Sequence, residues 1–120
     1  MVLIIGGAYQ GKLEFAREKY GFSEEQVFTC VDGTIDFSYP CINALEEFVY
    51  NCEDPVAYFR ENKEQWKDAV LICQDMSGGV VPLGADMRSW RQRNGRLCQY
   101  LSKEAEQVSR IFCGLEQRLK

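Results

Sequence analysis

Near the N-terminus, Gly6-Gly7-Ala8-Tyr9-Gln10-Gly11-Lys12 has the residue types and spacing from which a phosphate site is built. Glycines allow successive backbone N–H groups to turn inward as an anion nest. A helix opening directly after the loop adds its free N–H groups and the positive end of its dipole. Lys12 would place a point charge on the outer phosphates, and the spacing from Gly6 to Gly11-Lys12 is that of a P-loop. The nucleotide-binding set is therefore Gly6, Gly7, Ala8, Tyr9, Gln10, Gly11, Lys12 and Leu13. A P-loop that holds Mg²⁺ carries Ser or Thr after the lysine. Here Leu13 offers no oxygen, so the ion would need other ligands. The alternative is a vestigial loop that keeps its backbone shape only as a strand–helix turn.

A second constellation runs from Cys73 to Gln99. It contains Gln74-Asp75, Gly79-Val80-Val81-Pro82, Arg88, Arg91, Gly95-Arg96 and Gln99. Asp75 follows an apolar run that reads as a buried strand, which places it at the carboxyl edge of a parallel sheet, where such folds bind ligands. A carboxylate there could hold Mg²⁺ or its water. Arg88 and Arg91, three residues apart, are neighbours on one helical face and could clamp phosphates. The competing reading puts Arg91, Arg93 and Arg96 on a solvated helix surface. The catalytic set is thus Lys12, Asp75, Arg88 and Arg91, with Asp75 the metal candidate. Asp32 and Asp36 are candidates for a general base, although turn formation is the preferred reading of both.

The elements that must position these residues follow from periodicity. Val2–Ile5 is a short β-branched run that reads as a strand buried on both faces. Residues 11–20 read as a helix, with Leu13, Ala16 and Tyr20 on one face and Gly21 as its stop. Val27–Val31 is a second strand and Thr34–Pro40 a loop. Ile42–Tyr50 has helical spacing of Ile42, Leu45, Phe48 and Val49. Asp54-Pro55 caps a further helix running to about Trp66. Ala69–Cys73 is a third strand, and Gly78-Gly79 with Val81-Pro82 a loop. One long helix is expected from Gly84 to Gln107, although Asn94-Gly95 interrupts it. Val108–Cys113 is a fourth strand, ended by Gly114. The alternation predicts one α/β domain over residues 1–120. It is expected to be a P-loop NTPase-like three-layer fold with a mostly parallel sheet of about four to five strands.

Composition sets the outer limits. The chain has 120 residues, 46% of them apolar, which is ordinary for a globular domain. A net charge of −4 argues against nucleic-acid binding. The apolar start runs into glycines without a basic flank, so no signal peptide is expected. No stretch is long enough to span a bilayer. Six cysteines lack CxxC pairing and there is no histidine, which disfavours zinc. Reduced thiols in a cytoplasmic protein are the expectation, with Cys30, Cys73 and Cys113 acting as small hydrophobes. The aromatics Tyr50, Tyr58, Phe59 and Trp66 are core or, alternatively, a partner surface.

The chain resembles the bifunctional adenosylcobinamide kinase / adenosylcobinamide-phosphate guanylyltransferase family of cobalamin biosynthesis. The opening Ile5–Lys12 matches that family's loop. The stretch from Gln74 to Pro82 is similar to its Asn-Glu-x-Gly-x-Gly-x-Val-Pro motif. Arg88-x-x-Arg91 and Gly95-Arg96-x-x-Gln99 fall at the family spacing, and the ending from Gly114 to Lys120 is similar. The resemblance covers residues 1–20 and 69–120. It implies GTP or ATP as ligand, a corrinoid as a further ligand, and a homotrimer.

The departures narrow what the resemblance implies. Family members are longer, and the middle, Cys30 to Asp68, does not resemble theirs. The family's covalent GMP acceptor is a histidine, and this chain has none. Guanylyl transfer by that route is chemically impossible. Leu13 replaces the loop hydroxyl, Gln74-Asp75 replaces Asn-Glu, and Ser77 replaces a glycine. Two readings follow. One is a degenerate relative that binds a nucleotide, a corrinoid or a protein partner without catalysis. The other is a kinase that phosphorylates adenosylcobinamide or a related small alcohol.

Overall fold

The computed structural model describes residues 1–76 and 84–120. The expected loop at Gly78-Gly79 and Val81-Pro82, and most of the Gln74–Pro82 motif, lie outside the described residues.

Alternating apolar side chains organise the fold around β1 (Val2–Gly6) and β4 (Val70–Gln74). Leu3 and Leu71 face one side of the sheet, while Ile4 and Ile72 face the other. Both sides must therefore be covered, which is the condition for a parallel sheet flanked by helices. β1 pairs in parallel with β4 on one side and with β5 (Gln107–Phe112) on the other. β3 (Cys41–Asn43) and β2 (Val27–Thr29) extend the sheet beyond β4, also in parallel. β6 (Leu115–Arg118) pairs antiparallel with β5. The described sheet has six strands in the order β2-β3-β4-β1-β5-β6.

The strand number exceeds the four to five expected, for two local reasons. Ile42 belongs to β3 rather than to a helix starting there, because Ala44 takes a left-handed conformation (φ 60°) and the helix α2 begins only at Leu45 (Leu45–Tyr50). The apolar spacing of Ile42 and Leu45 runs across a strand–helix junction. β6 arises because Cys113 and Gly114 both have positive φ (52° and 76°), the combination that closes a two-residue hairpin.

Helix α1 (Lys12–Tyr20) covers one face of the sheet. Ala16 is buried there, with Leu13 and Tyr20 packed beside it, and the left-handed Gly21 stops it with an N–H to Arg17 O bond of 2.8 Å. The opposite face carries α2, α3 (Pro55–Glu61), α4 (Lys63–Trp66) and α5 (Ala85–Glu104). The helix expected from Pro55 to Trp66 is divided at Asn62, which caps the C-terminus of α3. Asp54 caps α3 as expected, accepting from Ala57 N at 3.1 Å. Phe59 and Trp66 are buried, and Trp66 Nε1 donates to Phe59 O at 2.8 Å. The aromatic middle of the chain is thus mainly core. Tyr50 is its exposed exception. Among the described residues no helix is long and apolar enough to cross a membrane.

Candidate functional site

Parallel strands put their carboxyl ends at one edge. Gly6, Asn43 and Gln74 end three of them, so the segments that follow share that edge. The glycine loop leaves β1 there. Gly6 has no room for a side chain: a Cβ would stand 2.6 Å from Ile111 O of the neighbouring strand. Gly6 O accepts from Asp75 N at 2.7 Å, which ties the start of the loop to the tip of β4.

The loop is held from its other side by the β5–β6 turn. Gln10 Oε1 accepts from Cys113 N at 2.6 Å, and Gln10 O accepts from Gly114 N at 2.9 Å. Gly11 has φ 89°, a conformation glycine adopts without strain. Its missing Cβ faces Gly114 Cα at 3.6 Å. Tyr9 (φ 60°) is fully exposed at the crown of the loop. Cys113 is exposed in the turn. This corrects its expected place as a buried hydrophobe, whereas Cys30 and Cys73 are buried as expected.

Lys12 opens α1, and its Nζ donates to Gly7 O at 2.7 Å across the loop. Burial lowers its pKa from the ordinary 10.5, and the Glu46 carboxylate acts against that shift. Glu46 is the residue that sequence reasoning missed. It sits in the first turn of α2, and its Oε1 accepts from Gln74 N at 2.9 Å. That bond brings a carboxylate to the tip of β4, one residue from Asp75. The missed signal was the misplaced start of α2, which hid Glu46 inside a longer helix.

Helix α5 completes the edge. Asn94 is buried in its middle, where its Nδ2 donates to Gln74 O at 2.9 Å and its Oδ1 accepts from Cys73 Sγ at 3.2 Å. These bonds explain why an Asn-Gly pair interrupts the pattern without interrupting the helix. Trp90 Nε1 donates to Glu46 O at 2.7 Å, fixing α2 against α5. Arg93 donates to Val49 O and Cys52 O at the C-terminal end of α2. It is a brace between helices rather than a solvated charge.

Asp75 and Arg91 line one pocket of about 240 Å³, together with Ile5, Asn94 and Cys98. Arg88 is exposed one turn earlier, outside the described wall of that pocket. Asp32 and Asp36 are turn residues. Asp32 Oδ1 accepts from Thr34 N at 2.9 Å, and Asp36 Oδ1 accepts from Ser38 N at 2.9 Å. Hydrogen bonds from Thr34 and Ser38 lower their respective pKa values.

The edge thus combines an ammonium seated on a glycine loop with the Glu46 carboxylate at the tip of the adjacent strand, while Asp75 lines the neighbouring pocket with Arg91. Among the described residues no group of three or more His, Cys, Asp or Glu gathers as a metal site. Mg²⁺, however, commonly binds through one or two carboxylates together with substrate phosphates. Glu46, whose carboxylate acts on Lys12, offers one such oxygen donor beside the loop, and Leu13 offers none. No family model matches the chain, and no curated protein matches it.

Proposed function

We propose that this chain is a degenerate P-loop protein, related to the adenosylcobinamide kinase / guanylyltransferase family, that binds a nucleotide or corrinoid without guanylyltransferase activity. The carrying observation is the seat of Lys12 against Gly7 O, in a loop that joins β1 to the N-terminus of α1 at the carboxyl edge of the sheet. On this reading the loop N–H groups and Lys12 hold the phosphates of GTP or ATP. The absence of histidine removes the covalent GMP route. Cytoplasmic residence and trimeric assembly belong to the same proposal.

A second reading, phosphoryl transfer to adenosylcobinamide or another small alcohol, is favoured by one observation. The Glu46 carboxylate binds Gln74 N at the tip of β4 and acts on Lys12. That carboxylate, with Asp75 just after β4, would hold Mg²⁺, which when bound neutralises phosphate charge. Lys12 would hold the outer phosphate, and Arg91 would stabilise charge developing on the transferred group. Arg88, on the same helix, would assist by approaching from the exposed side.

The test is calorimetric titration with GTP and ATP, each with Mg²⁺ and with chelator, on the native chain and on Lys12→Ala. Micromolar binding that is lost in the variant supports the nucleotide site. Turnover of cobinamide with Mg²⁺ then selects the kinase reading. The absence of nucleotide binding under all conditions refutes both nucleotide readings and leaves the loop a structural turn.

A further inference from the structure

The wall of the Asp75–Arg91 pocket contains sulfur. Cys98, on α5, lines the pocket and is half-buried. Behind it lies Cys73 on β4, fully buried, with the two Sγ atoms 3.6 Å apart. That is van der Waals contact between thiols on two different elements. A disulfide requires about 2.05 Å, so the sulfurs must close by roughly 1.5 Å. The arrangement is asymmetric. Among the described residues Cys98 lines the pocket, whereas Cys73 does not and is fully buried. Cys73 also has a fixed orientation, because its thiol donates to Asn94 Oδ1 at 3.2 Å.

We propose that Cys73 and Cys98 form a reversible dithiol–disulfide pair, a modification site whose oxidant is a small hydroperoxide entering through the pocket. Cys98 sulfur attacks the distal peroxide oxygen, the O–O bond breaks, and the thiol becomes a sulfenic acid while the peroxide is reduced to an alcohol or water. Cys73 sulfur then attacks the sulfenic sulfur, the S–O bond breaks, and water leaves with the thiol proton. One disulfide forms per peroxide consumed.

The geometry gives this oxidation a consequence. The Cys73 sulfur loses the hydrogen it donates to Asn94. Asn94 also holds the carbonyl of Gln74, the residue whose N–H binds Glu46. Closing the bond draws Cys98 out of the pocket wall and staples α5 to the tip of β4. Oxidation state would therefore reshape the pocket that Asp75 and Arg91 line. The inference stands on the sulfur geometry and does not require that the pocket bind a nucleotide.

The experiment uses the full chain carrying Cys113→Ser, which removes the exposed thiol as a source of intermolecular links. The protein is treated with hydrogen peroxide, alkylated under denaturing conditions, digested without reductant and analysed by mass spectrometry. The expected product is a peptide pair joining Cys73 to Cys98, two hydrogens lighter than the reduced pair and restored by dithiothreitol. The pair should vanish in Cys98→Ser, a half-buried position chosen because the fold should tolerate it. In Cys73→Ser the same treatment should leave Cys98 trapped as a sulfenic acid, detected with a dimedone probe. Full alkylation of both residues after peroxide overturns the proposal. So does linkage of either residue to another cysteine in place of its partner.

Discussion

Replacing Glu46 with glutamine removes a charge and leaves its hydrogen bond. The side-chain oxygen that accepts from Gln74 N at 2.9 Å has an equivalent in the amide. The backbone carbonyl that accepts from Trp90 is unaffected. Stability should therefore change little, and the variant isolates electrostatics. On the proposed reading, a metal-free triphosphate on the glycine loop of the native chain would meet the Glu46 carboxylate at the adjacent strand tip. At a separation on the order of 8 Å and an effective dielectric constant of about 40, each unit of like charge costs about 1 kcal/mol. A triphosphate brings more than one such charge, so the penalty is about 2 kcal/mol. Glu46→Gln should then bind metal-free ATP or GTP roughly 30-fold more tightly than the native chain. With saturating Mg²⁺ the gain should disappear or reverse, because the carboxylate then serves as a ligand or partner of the ion. The assay is calorimetric titration at low ionic strength, where screening is weakest, in chelator and in Mg²⁺. Unchanged metal-free affinity, in a variant with an unaltered melting temperature, would refute the placement of Glu46 beside the phosphates.

Lys12→Ala should weaken nucleotide binding at least tenfold with or without Mg²⁺, measured in the same titrations, because its charge acts on the phosphates directly. Gly6→Ala should destabilise the fold by about 1–3 kcal/mol, since the added methyl meets a backbone carbonyl that cannot swing aside; thermal unfolding measures this. Asn94→Ala should cost about 1–2 kcal/mol: a lost bond to Gln74 O, worth about 1–3 kcal/mol when the group stays buried, is offset partly by alanine's better helix propensity. Denaturant titration checks it. Burial raises the Cys30 thiol from its ordinary 9.0 to about 12 and the Cys41 thiol to about 11. Both raised values favour the protonated folded state, so this stability is complete below pH 9 and is lost as pH rises through 11 and 12. Cys30→Ala should flatten the alkaline part of the stability profile relative to the native chain.

The sequence made the central strands legible because each is a continuous apolar run bounded by glycine or charge. Val2–Ile5 and Ala69–Cys73 fall almost on β1 and β4. The helix after Lys12 and its stop at Gly21 were equally plain. Legibility failed where elements are short or uniformly exposed. β3 has three residues, too few to show a period, and its apolar residues continued the helical spacing of α2. β6 is exposed throughout, so no alternation marks it. The same failure at β3 concealed Glu46. The spacing of Arg88 and Arg91 suggested a shared face, yet only Arg91 reaches the described wall of the pocket with Asp75. The two side chains are offset by about 60° around the axis, enough at the rim of a helix face to leave one exposed while the other turns half inward. Asn94 looked like a helix breaker in sequence because its partners, Gln74 and Cys73, are about twenty residues away along the chain.

Leu13 connects the fold to the choice between the two functional readings. It packs with Ile4, Ala16 and Ile72 on the face of the sheet that α1 covers. Ala16 is the only fully buried residue of that helix, and Leu13 helps to seat α1 together with Phe15 and Tyr20, which pack on the same cluster. A hydroxyl at this position would give up apolar burial, at a cost of about 1–2 kcal/mol for the lost side chain. Leu13 thus supplies a core contact at the position where a P-loop that holds Mg²⁺ carries a hydroxyl. On the kinase reading an ion at this edge would depend on Glu46 from α2 and Asp75 after β4, and Glu46 lies outside the stretches that carry the family resemblance. If Mg²⁺ strengthens nucleotide binding and Leu13→Ser adds nothing to that effect, the carboxylates have replaced the hydroxyl. If Leu13→Ser creates Mg²⁺ dependence where the native chain has none, the native loop binds anions without a cation, and the non-catalytic reading follows from chemistry rather than from resemblance.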